Sequence, residues 1–180
     1  VPVTLERVVL ADKNCTIHEY NPLAKVPILV INDISIFDSP VIAEYVDYKS
    51  GPLYLIPSDF DKKILVKRWE ALADGLCDAS VAIMLEKRRP ISQQNTDVFE
   101  KQMRKIKLSL QRLNEEIEGK EYYLENTFSY ADIAVGCALG YVKLRYPEID
   151  FKSEYLNLYH LHEVLMKRQS FQATAPEPYL

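Results

Sequence analysis

The chain of 180 residues predicts an α+β fold, in which a small mixed α/β portion is followed by a larger all-helical one. Three observations carry that expectation. Between Val26 and Tyr48 the hydrophobic spacing changes from strand-like to helical, and Ser50 to Asp59 then holds Gly51, Pro52 and Pro57 with no sustained period. From Ser58 nearly to the end only helical spacing recurs.

Val26 to Ile31 is a near-continuous apolar run rich in β-branched residues, and a second such run spans Ile34 to Phe37. Asn32-Asp33 between them supplies the turn pair of an antiparallel hairpin. After Asp38-Ser39-Pro40, the residues Val41, Ile42, Tyr45 and Val46 share one helical face, with Pro40 suited to a first helical turn. The following Pro-rich stretch is the expected linker, at about 50–60. It separates a first domain, 1–49, from a second, 61–180.

Ser58 with Asp61 has the spacing of a capping box, and Leu65, Trp69, Leu72, Leu76, Ala79 and Ile83 then mark a long helix reaching Arg88, which Pro90 stops. Phe99, Met103, Ile106, Leu110, Leu113 and Ile117 predict a second helix, antiparallel to the first and closed by Gly119. A third opens on a Ser129/Asp132 capping box and is apolar all round through Gly140, so it is expected between other helices. Gly136 and Gly140 allow close packing there. Ser153 to Lys167 predicts a last amphipathic helix, and Pro176 and Pro178 an irregular tail.

Composition excludes several function classes. With 48% hydrophobic and 27% charged residues, the chain is neither disordered nor fibrous. Its net charge is -4, and its longest basic stretch is Glu86-Lys87-Arg88-Arg89, which argues against a nucleic-acid binder. Cys15, Cys77 and Cys137 have neither disulfide-framework nor zinc-site spacing, so a reducing compartment, the cytoplasm, and no metal are expected. Cys77 and Cys137, among apolar neighbours, read as core thiols. His18, His160 and His162 are scattered and read as surface or packing residues. No apolar run has the roughly 20 residues of a membrane span.

Two motifs carry a specific resemblance. Asn21-Pro22-Leu23-Ala24-Lys25-Val26-Pro27, followed by a hairpin and by Phe37-Asp38-Ser39-Pro40-Val41-Ile42-Ala43-Glu44-Tyr45, resembles the glutathione-binding half of the cytosolic glutathione S-transferases. Trp69 to Leu76, Ser129 to Ala134 and Arg168-Gln169-Ser170-Phe171 resemble the helical domain of bacterial and fungal members. The resemblance implies a thioredoxin-like first domain and an all-α second one. It also implies that the Val26-Pro27 bond is cis and that the Val26 backbone pairs with glutathione as an added strand. Asp38 and Ser39 would hold the γ-glutamyl carboxylate at a helix start, and Lys25 would lie near the glycyl carboxylate. Ala24 stands where the family usually has glycine, and its methyl disfavours a left-handed backbone.

In that family a serine, cysteine or tyrosine near the end of the first strand activates the glutathione thiol. By the resemblance it would fall just upstream of Val1, leaving Thr4 and Cys15 as poor substitutes. Thr4 to Lys13 is expected as the first helix, because Glu6 to Lys13 resembles its ending in the family, and the second strand would then be missing between about Asn14 and Ile17. The alternative makes Val1 to Leu5 the second strand. In either register the first domain is expected to be incomplete in this chain, short by roughly 30 residues of a βαβ unit. The implied activity is attack of glutathione thiolate on a small apolar electrophile by a homodimer with a detoxifying role. A non-catalytic binding or scaffold module, or a glutathione-dependent thiol reductase, is the alternative.

Overall fold

The computed structural model describes residues 2–10, 12–51 and 54–175. The chain divides into two units, Val1–Ile56 and Pro57–Leu180. Val1, Pro52, Pro176 and Pro178, each named above for its place in the chain, lie outside the described residues.

In the first unit, β1 (Leu29–Ile31) pairs antiparallel with β2 (Ile34–Ile36), with Leu29 opposite Ile36 and Ile31 opposite Ile34. Asn32 and Asp33 both take positive φ, 47° and 67°, as a two-residue hairpin turn requires and as Asn and Asp tolerate. The ladder is shorter than the apolar run, since Pro27 has no N–H to donate. Helix α2 (Ser39–Ser50) follows, with Pro40 in its first turn, and it ends at Gly51 with φ 100°. Near its end the buried Asp47 carboxylate accepts hydrogen bonds from the backbone N–H groups of Leu55 (2.6 Å) and Ile56 (3.1 Å). This ties the returning chain to the helix.

The N-terminal segment departs from expectation. No described residue from Pro2 to Lys13 is helical or in a strand, and a four-residue helix, α1 (Ile17–Tyr20), forms instead. Helices of about ten residues are marginal unless an apolar face is buried. Val3, Leu5, Val8, Val9 and Leu10 here are all exposed.

The second unit is a helical bundle built on α3 (Phe60–Lys87), α4 (Thr96–Glu116) and α5 (Tyr130–Arg145). Helix α3 starts one residue later than the Ser58 reading, because Asp59 is its cap and accepts the Lys62 N–H at 3.0 Å. Its buried stripe runs through Val66, Trp69, Ala73, Leu76 and Ile83. Leu65 is exposed: two overlapping three-and-four spacings exist in that turn, and packing selects the one through Val66. Arg68 near the start of α3 pairs with Glu116 at the end of α4, and at the other end Glu86 accepts the Asn95 N–H at 2.8 Å. The two helices are therefore antiparallel, as predicted. A 3-10 turn, Ile91–Gln93, joins them after Pro90.

Helix α5 is capped by the expected Ser129/Asp132 box, and Ala131, Val135, Ala138, Leu139 and Val142 bury its inner face. At Gly136 a Cβ would lie 2.5 Å from the Phe171 ring and 2.7 Å from a Leu165 methyl, so no larger residue fits without movement. The last predicted helix is divided. Helix α6 (Phe151–Glu154) and helix α7 (Leu156–Leu165) are separated at Tyr155, whose backbone is non-helical (φ −139°, ψ 59°) and whose ring lies beside that of Phe151, centroids 5.8 Å apart. A short α8 (Gln169–Ala173) follows. The start of α7 is capped from outside, by Asn114 of α4, whose side-chain oxygen accepts the N–H groups of Asn157 (3.0 Å) and Leu158 (3.1 Å).

The cysteines differ from the core-thiol expectation: Cys77 is half-buried and Cys137 exposed. Burial pushes the Cys77 thiol up to about 12, with Asp74 adding to it. His18 and His160 are exposed. His162 is half-buried with its Nδ1 3.3 Å from Lys143 Nζ, and burial first, then that lysine, lowers its pKa. Among the described residues no group of three His, Cys, Asp or Glu is arranged to hold a metal, and no helix is long and apolar enough to cross a membrane.

Candidate glutathione-binding site

The loop that precedes β1 is shaped by a residue to which the sequence motifs assign no separate role. Asn21, 1% exposed, uses its side-chain oxygen to accept the Leu23 N–H (3.0 Å) and its amide to donate to the Lys25 carbonyl (2.9 Å). The Ala24 N–H donates to the Asn21 carbonyl at 2.8 Å. One buried amide therefore organises Leu23, Ala24 and Lys25. The Asn-Pro pair was the available signal, since Asn bonds its own backbone two residues on in such turns.

Ala24 has φ 51°. The methyl that disfavoured a left-handed backbone sits in that conformation, held by the Asn21 bonds on either side. The left-handed region costs a residue with Cβ about 1–2 kcal/mol. Ala24→Gly is expected to raise stability by about 1 kcal/mol and Tm by about 2–4 °C. Thermal unfolding followed by circular dichroism measures it. An unchanged or lowered Tm would mean that the loop carries no such strain.

Beyond this loop the Val26-Pro27 bond is cis, as the family resemblance implied. Val26 is 49% exposed, and among the described residues neither its N–H nor its C=O has an intramolecular partner. An exposed residue at a hairpin end with both backbone groups free is an edge onto which another extended backbone can pair. Lys25 is exposed beside it.

On the other strand, the Phe37-Asp38 bond is also cis, and Asp38 is the cap residue of α2. Its carbonyl accepts the N–H groups of Val41 and Ile42, both at 3.1 Å. Helix α2 therefore begins at Ser39, one residue before Pro40, and the expected set of free helix-start donors is reduced. Pro40 has none and Val41 is engaged, so the Ser39 N–H and hydroxyl are what this first turn can offer an anion. Asp38, although it occupies the N-cap position, makes no side-chain cap hydrogen bond. Asp38 is exposed and Ser39 half-buried.

Antiparallel register brings the two segments to one end of the hairpin. Val26-Pro27 and Asp38-Ser39 leave the ladder from the same terminal pair, Leu29 and Ile36, each within three residues of it. Free extended backbone, a cation, and a helix start with a serine hydroxyl form a combination suited to a peptide-like ligand carrying carboxylates at its ends. Thr4, the nearest alternative for thiol activation, is exposed in the irregular N-terminal segment. Cys15 is half-buried just before α1, its N–H donating to the Asp12 carbonyl at 3.0 Å.

A hairpin-and-helix unit carrying a cis-proline edge, followed by a helical bundle with a buried capped helix, defines the class: a small thioredoxin-like domain joined to an all-α domain. Comparison with known proteins identifies the family. The Glutathione S-transferase N-terminal domain profile matches residues 12–48, and the C-terminal domain profile matches residues 96–162. The uncharacterised GST-like protein YibF of Escherichia coli K12 is 36% identical over 165 residues, covering 88% of this chain and 78% of that protein. Among solved structures, a glutathione S-transferase from Methylobacillus flagellatus KT with glutathione bound superposes with a TM-score of 0.95 at 46% identity, over 98% of this chain and 88% of that one. One from Methylobacterium radiotolerans, in complex with glutathione sulfonate, has a TM-score of 0.90 at 30% identity, over 96% of this chain and 82% of that one. The chain belongs to the glutathione S-transferase family.

Proposed function

We propose that this protein binds glutathione through Lys25, Val26, Pro27, Asp38 and Ser39 and directs its thiolate onto a small apolar electrophile. The observation that carries the reading is the free, exposed Val26 backbone before a cis proline, at the same hairpin end as the Ser39 helix start. In this reading the Val26 N–H and C=O pair with the cysteinyl backbone of glutathione. The Ser39 N–H and hydroxyl receive the γ-glutamyl carboxylate, and the Lys25 ammonium neutralises the glycyl carboxylate. Relatives of known structure with glutathione or glutathione sulfonate bound support the ligand. The same reading includes a homodimer and a cytoplasmic, detoxifying role.

Ser39→Ala tests it directly. A hydrogen bond to a charged group contributes about 1.5–3 kcal/mol, so glutathione affinity should fall roughly 10- to 100-fold, read by calorimetry or by retention on glutathione resin. Because the Ser39 side chain makes no cap bond, Tm should stay unchanged. Equal affinity in wild type and variant would sink the site assignment. Conjugation of glutathione to a generic aryl halide is expected above the buffer rate, and its absence with intact binding would leave a non-catalytic glutathione binder.

A further inference from the structure

A cavity of about 440 Å³ opens in the second unit at the C-terminal end of α5, bounded by the turn at 147–150, the start of α6 and one face of α7. Its apolar surface is aromatic: Tyr146 and Phe151 are buried and Tyr159 is half-buried. The Tyr146 hydroxyl donates to the Ser80 carbonyl at 3.3 Å, so its polar tip is committed to α3 and its ring is what it offers the cavity. Two backbone hydrogen bonds shape the turn, from the Ile149 N–H to the Tyr146 carbonyl and from the Phe151 N–H to the Ile149 carbonyl, both at 3.1 Å. The cavity is therefore formed without a ligand, and its size lies within the roughly 300–1,000 Å³ typical of small-molecule sites.

Two lysines and two acids line it, and they are not equivalent. Lys143 Nζ lies 3.3 Å from His162 Nδ1. An ammonium can only donate, so the ring nitrogen accepts, as a neutral imidazole can, and the lysine is held in place. Lys152 Nζ stands 6.0 Å from the centre of the Tyr159 ring. Among the described residues neither ammonium is ion-paired with a carboxylate. The Asp150 carboxylate is already engaged, by the Ser153 hydroxyl at 2.6 Å and by the N–H groups of Lys152 (3.1 Å) and Ser153 (3.2 Å). Glu148 is exposed and, among the described residues, has neither a hydrogen bond nor an ion pair. With two cations against two acids the lining carries no net charge, so a simple anion gains less here than a ligand bearing both signs. Free ammonium, free carboxylate and an aromatic wall together complement a small zwitterion with a ring.

We propose that the cavity at the end of α5 binds a free aromatic α-amino acid, its ring against Tyr146, Phe151 and Tyr159, its carboxylate on Lys143 and its ammonium on Glu148. His162 acts as a positioning residue for Lys143. The site lies within the second unit, and its occupancy does not depend on the glutathione reading.

Phenylalanine titrated calorimetrically into the whole protein tests this, beside phenylpropionate, which lacks the ammonium, and phenethylamine, which lacks the carboxylate. Phenylalanine should bind saturably at one site per chain, about tenfold or more tighter than either analogue. Lys143→Met should weaken phenylalanine and phenylpropionate about tenfold and leave phenethylamine within about twofold. Glu148→Gln should do the converse, weakening phenylalanine and phenethylamine and sparing phenylpropionate. Tm, measured alongside, separates loss of the site from loss of fold, and neither side chain is in the buried core. Absence of saturable phenylalanine binding to the folded protein overturns the proposal. So does phenylpropionate binding as tightly as phenylalanine, since the cavity then reads an anion alone, and so does wild-type phenylalanine affinity in both variants.

Discussion

Replacing Asp132 by alanine is expected to destabilise the protein by about 3–5 kcal/mol, because one buried carboxylate holds two segments of the second unit together. Asp132 is fully buried, and its carboxylate accepts three hydrogen bonds: the Tyr123 N–H at 2.9 Å, the Ser129 N–H at 2.8 Å and the Ser129 hydroxyl at 2.9 Å. It therefore caps α5 and also pins the turn at Tyr122–Thr127, where two isolated bridges form and Glu125 takes φ 61°. Alanine leaves two buried backbone N–H groups without partners. Burial is the main influence on this carboxyl and holds it above its ordinary range, against the pull of the three donors. Asp132→Asn removes the buried charge while keeping one acceptor, and should lose less, about 1–2 kcal/mol. Urea unfolding of the two variants measures both, and an alanine variant within about 1 kcal/mol of wild type would show that the turn re-forms its bonds elsewhere.

Replacing Glu116 by alanine is expected to cost about 2–3 kcal/mol. Glu116 ends α4 and receives a two-pronged contact from Arg68 (2.9 and 2.5 Å), a hydrogen bond from the Trp69 indole N–H, and an ion pair with Arg112, whose Nε lies 2.6 Å away. Its side chain is only 14% exposed, so these bonds are partly shielded from water. The buried Trp69 ring also stacks against Tyr123, centroids 5.0 Å apart, which links the Glu116 cluster to the turn that Asp132 holds. Burial, the largest single influence, raises the Glu116 pKa, but the bonds from Arg68 and Trp69 with the charges of Arg68 and Arg112 outweigh it, and the net shift is downward from 4.5. A carboxyl depressed in the folded state stabilises above its unfolded pKa, and that stability is lost as pH falls through the folded value. The gap between wild type and Glu116→Gln should therefore be full at neutral pH and should narrow below about pH 4.5. A gap that widens on acidification would mean the carboxylate is not the stabilising form. Because Asp132 and Glu116 both act on Tyr123 and its surroundings, the double variant should depart from additivity.

The elements that local chemistry specifies were legible in the chain. Asn32-Asp33 tolerates the left-handed pair a hairpin turn demands, Ser129 and Asp132 have capping-box spacing, and Pro90 ends α3 wherever the bundle lies. The motifs of the family resemblance were legible for the same reason, since each lies within a few consecutive residues. Boundaries were less so where neighbours compete. Asp59 and Ser58 can both cap α3, and Leu65 and Val66 can both continue its stripe, so the choice depends on what the opposite helix presents.

By itself, then, the chain's hydrophobic periods and turn residues determined the fold class and the order of most elements, and its resemblance to a family marked the segments that carry that family's motifs. Only the tertiary structure decided how the pieces are held. It showed that Asn114 of α4 caps α7, that Tyr155 breaks the final helix, and that Asn21 bends Ala24 into a left-handed turn. It also placed Lys87 of α3 beside Arg104 and Lys107 of α4. The physical reason is common to these cases. Periodicity reports which face of a segment avoids water, whereas a cap, a break or a charged rim depends on partners up to tens of residues away, whose proximity exists only once the apolar faces have packed.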